Sequence, residues 1–379
     1  MQTALSPALS PALLTALLEA ERALGRLAEL MQDAERRRRL WADAARREAC
    51  AAARLDGIAV DTTDFLIATV STDLVPTAGR GDAQSVRSLW QGCRFSQGAL
   101  PAPERRPSPA ALSRGGMSVA SEVWQAVADL EAGLTDPEEG EDGRPSPSAA
   151  AMPESWTLDW MECCWRVLQA EVSGRDPDRL AFSAEREAEA CTLLGRLDAA
   201  ARPPALLGGV GLLAELLRPA PDLRLPSWAV PTARLLAAQA VARCCRLPAL
   251  WLPLSVSLWT DRTAAAIAAR GRDEEWLAWL ADMVAETARR ERQRVYSLDQ
   301  AAESWRRRVG TRRRNSRLPE VLDRLFEEPA FTVRRIQRTL GTTFRGAQLI
   351  VDDLIEAGIA REVTNRALDR VFVAVDLMP

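Results

Sequence analysis

The run Thr332-Val333-Arg334-Arg335-Ile336-Gln337-Arg338-Thr339-Leu340-Gly341-Thr342-Thr343-Phe344-Arg345-Gly346-Ala347-Gln348 decides how the C-terminus is read. Thr332 offers a hydroxyl N-cap, Val333, Ile336 and Leu340 recur on one face, and Gly341 stands where a helix must stop. Upstream, Val321, Leu322, Leu325 and Phe326 share the face of an earlier helix that halts at Glu328-Pro329. Downstream, a third helix starts near Thr342, turns Ala347, Ile350, Val351 and Leu354 inward, and stops at Gly358. The period then falls from helical to alternating. Ile359 to Val363 and Val371 to Val375 read as strands around the turn Thr364-Asn365-Arg366-Ala367.

Two helices meeting across a glycine turn with a hairpin behind them form the outline of a winged helix-turn-helix over residues 318–379, a shape that enters the DNA major groove. Double-stranded DNA is therefore the expected partner. Thr342, Thr343, Arg345 and Gln348 occupy the first turns of the third helix. Arginine matches guanine O6/N7, glutamine matches adenine N6/N7, and the threonine hydroxyls can donate to phosphate. Arg334, Arg335 and Arg338 on the second helix and Arg361, Arg366 and Arg370 on the wing are the further candidates. The module holds eight arginines against ten acidic residues, so it is slightly acidic where a DNA-binding domain is typically basic. A protein-docking role is the competing reading. The acids are expected on the first helix and the C-terminal half of the third. Between Arg289 and Arg317 eleven arginines face only Glu291, Asp299 and Glu303. Within that stretch, residues 306–317 read as a flexible basic linker whose Arg312, Arg313 and Arg314 supply the sequence-independent phosphate term.

Composition agrees with a mainly α protein. The 379 residues leave room for two or three domains, and 47% hydrophobic and 27% charged content is ordinary for a globular chain. β-Branched runs are nearly confined to the C-terminal hairpin. Histidine and lysine are both absent, so all 49 cationic side chains are arginine, a bias that high-GC coding produces. Catalysis by imidazole is excluded, whether in a Ser-His-Asp triad, a Cys-His dyad or a His-ligated metal. The seven cysteines include two vicinal pairs but no C-x-x-C and follow no secretory signal. They read as buried, reduced thiols in a cytoplasmic protein, with neither a metal nor a cofactor expected. The longest apolar run, Leu247 to Leu258, is short and broken by Pro248 and Pro253, so no membrane span is expected.

The chain divides as follows. Residues 1–75 are an N-terminal helical segment, with Glu35-Arg36-Arg37-Arg38-Arg39 as a solvated helix face. Residues 76–155 are a loop-rich, partly disordered insertion: Pro76 to Gly116 is rich in turn formers, Leu134 to Pro153 is acidic, and Val119 to Leu130 between them makes one helix. Residues 156–305 are a helical body in which Trp156, Trp160 and Trp165 form a core stripe rather than a ligand cage. Pro219-Ala220-Pro221 and Pro226 bracket a loop, Thr232 to Arg246 is a helix, and Thr263 to Val295 is a long helical region broken near Gly271.

Two separated segments resemble one family. Arg47-Glu48-Ala49-Cys50-Ala51-Ala52-Ala53-Arg54-Leu55-Asp56-Gly57 is similar to the Fic-domain segment that usually reads E-A-x-A-S-S-x-I-E-G. Ala330-Phe331-Thr332-Val333-Arg334, Ile359-Ala360-Arg361-Glu362-Val363-Thr364 and Arg370-Val371-Phe372-Val373-Ala374 are similar to the winged helix that follows many Fic domains. Ala233-Arg234-Leu235-Leu236 and Asp273-Glu274-Glu275-Trp276-Leu277 resemble the stretch between them. The chain most resembles a degenerate Fic-like, plasmid-associated bacterial family of unknown function, which implies a Fic-like helical body, a DNA-binding C-terminus and a role in transcription regulation. A homodimer is expected, because one such module reads only a half-site. The active Fic motif, H-P-F-x-x-G-N-G-R-x-x-R, combines a histidine base with a phosphate-holding nest. Aligned on Arg234, the window places Leu223 at the base position, Trp228, Ala229 and Val230 at the nest, and Pro231 at the first arginine. An inhibitory segment would fall on Ala52 to Gly57, with Ala52 for its hydroxyl and Asp56 for its glutamate. The resemblance thus implies a body without nucleotidyl-transfer catalysis, the alternative being a residual nucleotide-dependent transferase, and a buried Asp56–Arg234 ion pair holding the N-terminal helices to the core.

Overall fold

Ser10 accepts a hydrogen bond from the Leu13 amide and Pro11 fills the first helical position, which starts α1 (Pro11–Leu30) where its apolar stripe begins. The computed structural model describes residues 9–98, 157–173, 180–200, 204–218, 225–310, 317–366 and 368–378. The expected helix Val119 to Leu130, the acidic segment Leu134 to Pro153, Trp156, Pro219-Ala220-Pro221, Leu223 and Arg312, Arg313 and Arg314 lie outside those residues.

Along the chain follow α2 (Ala34–Leu55), α3 (Thr62–Val70), α4 (Arg80–Ser96), α5 (Leu158–Ser173), α6 (Ala184–Ala200), α7 (Ala205–Leu217) and α8 (Ala229–Cys244). Then come α9 (Leu254–Thr260), α10 (Arg262–Arg270) and the 37-residue α11 (Asp273–Val309). The C-terminal elements are α12 (Leu318–Leu325), β1 (Ala330–Phe331), α13 (Val333–Leu340), α14 (Phe344–Glu356), β2 (Ala360–Glu362) and β3 (Phe372–Ala374). The three strands form an antiparallel sheet in the order β1-β3-β2, with Phe331 opposite Phe372 and Arg361 opposite Val373.

α11 is the spine. At 1.5 Å per residue it extends about 55 Å. α1 runs parallel to it, tied by the Ser10 amide to Glu274 and, further along both helices, by Arg289 to Glu19. α2 lies beside them and is buried on nearly every side. Ala42, Ala44, Ala45, Ala49 and Ala51 to Ala53 let its neighbours approach closely. A second apolar cluster lies under α2, α3, α4, α5 and α8, where Phe65, Leu66, Val86, Cys93 and Leu168 meet.

The structure corrects the sequence reading at several points. Residues 80–96 are helical, although they fall in the stretch read as turn-rich. Ala83, Val86, Leu89 and Cys93 recur at helical spacing and are buried, so tertiary packing overrides the Gly and Ser content. The Glu35–Arg39 run is not simply solvated: Arg36 pairs with Asp299 and Arg39 is buried. Trp160 and Trp165 pack on separate phenylalanines, Phe95 and Phe182. Cys50, Cys93, Cys163 and Cys164 are buried, but Cys244 and Cys245 are half-buried and Cys191 is exposed. The long helix continues past Val295 to Val309, so residues 306–309 are its last turn and not linker.

α2 also carries charge into the core. Asp43 accepts from Arg47 Nε at 2.7 Å and from Arg294 Nε and Nη2 at 2.9 and 2.7 Å. Glu291 of α11 accepts both terminal nitrogens of Arg47, at 2.8 and 2.7 Å. Burial opposes ionisation of Asp43, yet the charge of Arg47 and the hydrogen bond from Arg294 outweigh it and hold the carboxyl well below the usual range. Glu48, 2% exposed, accepts the Ser255 amide at the start of α9 at 3.1 and 2.9 Å, and the Val256 amide and the charge of Arg234 also favour its ionised form. Burial outweighs these contributions and pushes its carboxyl up to about 7.

Candidate nucleic-acid interface

The expected start and stop signals at the C-terminus are present. Thr332 accepts from the Arg335 amide and caps α13, which ends at Gly341 in the left-handed conformation (φ 58°). Thr343 accepts from the Gly346 amide and caps α14, and Gly358 (φ 63°) follows its end. Val321, Leu322, Leu325, Phe326, Ile336, Leu340, Ala347, Val351 and Leu354 are all buried, whereas Ile350 is half-buried. Strand β1 was not legible: it is two residues long, and only its pairing with β3 defines it.

Thr343, Phe344 and Arg345 are exposed on the first turn of α14, and Thr342 and Gln348 are half-buried beside them. The Thr343 hydroxyl serves as a cap acceptor, which leaves its proton free to donate. Gln348 Nε2 donates to Asp352 Oδ1 at 2.8 Å, one turn along the same helix, so its amide is already partnered.

The candidate cations fall into two groups. Arg335 is held by Glu328 through two bonds of 2.7 and 2.9 Å. Arg370 is held by Glu362, and Arg334 lies 3.9 Å from Asp369. Arg361 reaches Met378 Sδ at 3.3 Å. Glu328, at the end of the first helix, and the wing acids Glu362 and Asp369 thus neutralise Arg335, Arg370 and Arg334, although the acids were expected mostly on the first helix and the C-terminal half of the third. Arg338, Arg345 and the Arg366 side chain are exposed and have no ion-pair partner among the described residues.

The arginines preceding α12 mostly hold the structure together. Arg306 lies 3.3 Å from Asp323 and 3.6 Å from Glu35. Arg308 pairs with Asp376 at 2.7 Å and donates to the Gly358 carbonyl at 3.1 Å. Arg317 binds Glu320 and the Leu340 carbonyl. Arg307 is exposed and has no ion-pair partner among the described residues.

These bonds belong to a broad junction that the sequence did not announce. Trp305 of α11 is fully buried, its ring centroid 4.8 Å from that of Phe326, and its indole nitrogen donates to Asp376 at 2.7 Å. Arg39 places its guanidinium 4.7 Å over the Phe326 ring and bonds Asp323 at 3.1 Å. Arg46, 1% exposed, donates from Nη1 to the carbonyls of Phe326 and Glu327 at 3.0 and 3.2 Å. Those carbonyls end α12 and have no later helical turn to bond. Apolar packing continues from α1 and α11 into α12, α13, α14 and the sheet as one cluster. The C-terminal elements are therefore a fixed extension of the body.

Arg234 and Asp56 meet as a bidentate pair, Nη1 to Oδ2 and Nη2 to Oδ1 each at 2.7 Å, and Arg234 Nη1 also donates to the Ala52 carbonyl at 3.1 Å. The pair ties the end of α2 to α8. It is half-buried rather than buried, with side-chain exposures of 14% and 32%. Among the described residues no group of three or more His, Cys, Asp or Glu could hold a metal ion, and no helix is long and apolar enough to cross a membrane. No protein-family model matches the chain, and no curated protein matches it.

Proposed function

We propose that the chain is a DNA-binding protein, acting in transcription regulation through a winged helix-turn-helix formed by α12, α13, α14 and the hairpin β2–β3. The observation that carries this is the outward first turn of α14, where Thr343 and Arg345 are exposed and Arg345 has no counter-ion among the described residues. Arg338 on α13 stands as a second uncompensated cation. Arg345 is the residue for base contact, and Arg338, Arg366, Arg307 and the stretch Arg312 to Arg314 are those for phosphate. The body is proposed to be Fic-like, on the order of its sequence landmarks and on the Asp56–Arg234 pair. A chain without histidine has no general base of the Fic type, so no transferase activity is proposed. Homodimerisation would use the body, where Leu14 and Leu18 stand 49% and 46% exposed one turn apart on α1.

A second reading has its own observation. Phe344 and Leu349 on α14 are each 52% exposed, and such a surface also suits a protein partner. Selection of bound duplexes from a random pool, followed by gel shift, separates the two. A retained sequence preference that Arg345→Ala relaxes supports groove reading, whereas no shift at low salt excludes it.

A further inference from the structure

The parallel packing of α1 on α11 leaves a notch of about 210 Å³ on the body, lined by Glu19, Arg22, Ala23, Arg26, Arg289 and Arg292. Among the described residues, four arginines and one carboxylate line it. Ala23, 7% exposed, is the small side chain that leaves the depression open. Glu19 accepts from Arg22 at 2.8 Å and from Arg289 at 2.9 Å, so one acid gathers guanidinium groups from both helices. Those two hydrogen bonds, that from Arg22 first, hold its carboxyl below the usual range. Arg289 also lies 3.7 Å from Glu286, which is engaged with Arg290. Arg26 and Arg292 line the same notch with no hydrogen-bond or ion-pair partner among the described residues.

Holding like charges around one depression costs self-repulsion, and a concave, low-dielectric wall focuses the resulting potential on whatever enters. Guanidinium forks match phosphate oxygens in pairs, each nitrogen donating in plane. The volume is below the roughly 300–1,000 Å³ of pockets that enclose whole drug-sized ligands, so it suits a compact charged group. Two linked phosphates can engage the arginines of both helices at once. A phosphodiester backbone carries single charges spaced along a strand and is better met by an open surface. We propose that this notch binds a compact phosphate-bearing anion of the pyrophosphate class. Arg292 precedes Trp305 by thirteen residues on α11, about 20 Å along the helix axis. The site is therefore distinct from the α13–α14 face and independent of the DNA-binding reading.

The test is isothermal titration of the full chain with inorganic pyrophosphate, inorganic phosphate and sulfate at matched ionic strength. The expected result is one saturable site, tighter for pyrophosphate than for either single anion. The double variant Arg26→Ala/Arg292→Ala should weaken it by about tenfold or more, given the strength of hydrogen bonds to charged groups. Both side chains are at the surface, and an unchanged circular dichroism spectrum certifies the fold. Arg22→Ala on the same rim serves as a second variant and should also weaken binding. No saturable heat, equal affinity for all three anions, or binding indifferent to these substitutions would overturn the proposal. So would a short DNA duplex that displaces pyrophosphate and itself loses affinity in the double variant, because the notch would then serve backbone phosphate.

Discussion

Glu48→Gln isolates one buried carboxyl whose titration no histidine overlaps. No histidine titrates between pH 5 and 8, because there is none. Glu48 is 2% exposed, and burial raises its carboxyl from the ordinary 4.5 to about 7. A raised value means that the folded state binds the proton more tightly than the unfolded state. The contribution is fully present below pH 4.5 and is lost as pH rises through about 7. At ~1.4 kcal/mol per pH unit, the full span is worth on the order of 3 kcal/mol. Urea unfolding followed by tryptophan fluorescence at intervals from pH 5 to pH 8 measures it. The wild-type chain should lose up to about 3 kcal/mol across that range relative to the variant, so that Glu48→Gln becomes the more stable of the two at pH 8. Other titrations are common to both proteins and cancel in the difference. Parallel stability curves would be the contrary result. They would show that the Ser255 amide and the nearby Arg234 keep Glu48 ionised despite its burial.

Three further outcomes follow from the packing. Asp43→Asn leaves Arg46, Arg47 and Arg294 short of a counter-charge in the core, and should cost about 3–5 kcal/mol by equilibrium urea unfolding at pH 7. Phe326→Ala opens a cavity beneath Trp305 and Arg39 and should cost about 3–5 kcal/mol. Hydrogen exchange should then quicken in residues 318–331 and 372–377 more than in α1. Gly341→Ala places a Cβ at φ 58° with open space around it, so only backbone strain is felt, about 1 kcal/mol by thermal or urea unfolding.

What the sequence disclosed and what it concealed have physical reasons. Local signals carried the C-terminal elements, since Thr332, Gly341 and Gly358 act within a turn of their own position. The ends of α13 and α14 are set by such caps and stops. β1 is invisible because Ala330 and Phe331 become a strand only by pairing with Val373 and Phe372. α4 is hidden by a composition that elsewhere makes turns, and its four inward side chains decide the matter. Arginines misled most. Arg39, Arg46, Arg306 and Arg308 look like solvated or DNA-facing charge, yet each reaches an acid or a helix-terminal carbonyl in another element. A guanidinium's role depends on its partner in space, which one sequence does not show. Asp56 and Arg234 were paired through a resemblance and not through spacing, and their bidentate geometry could not have been read from residues 178 positions apart.

The outward turn of α14 and the uncompensated arginines around it are proposed to read duplex DNA. Fluorescence anisotropy of a labelled, selected duplex across a salt series tests it most directly. Saturable binding that weakens linearly in log–log form with salt is expected. Arg338→Ala should make that slope shallower by about one, and Arg345→Ala should erase discrimination against a scrambled duplex at a cost of about 1–3 kcal/mol. No binding at low salt, or binding that neither substitution alters, would contradict it.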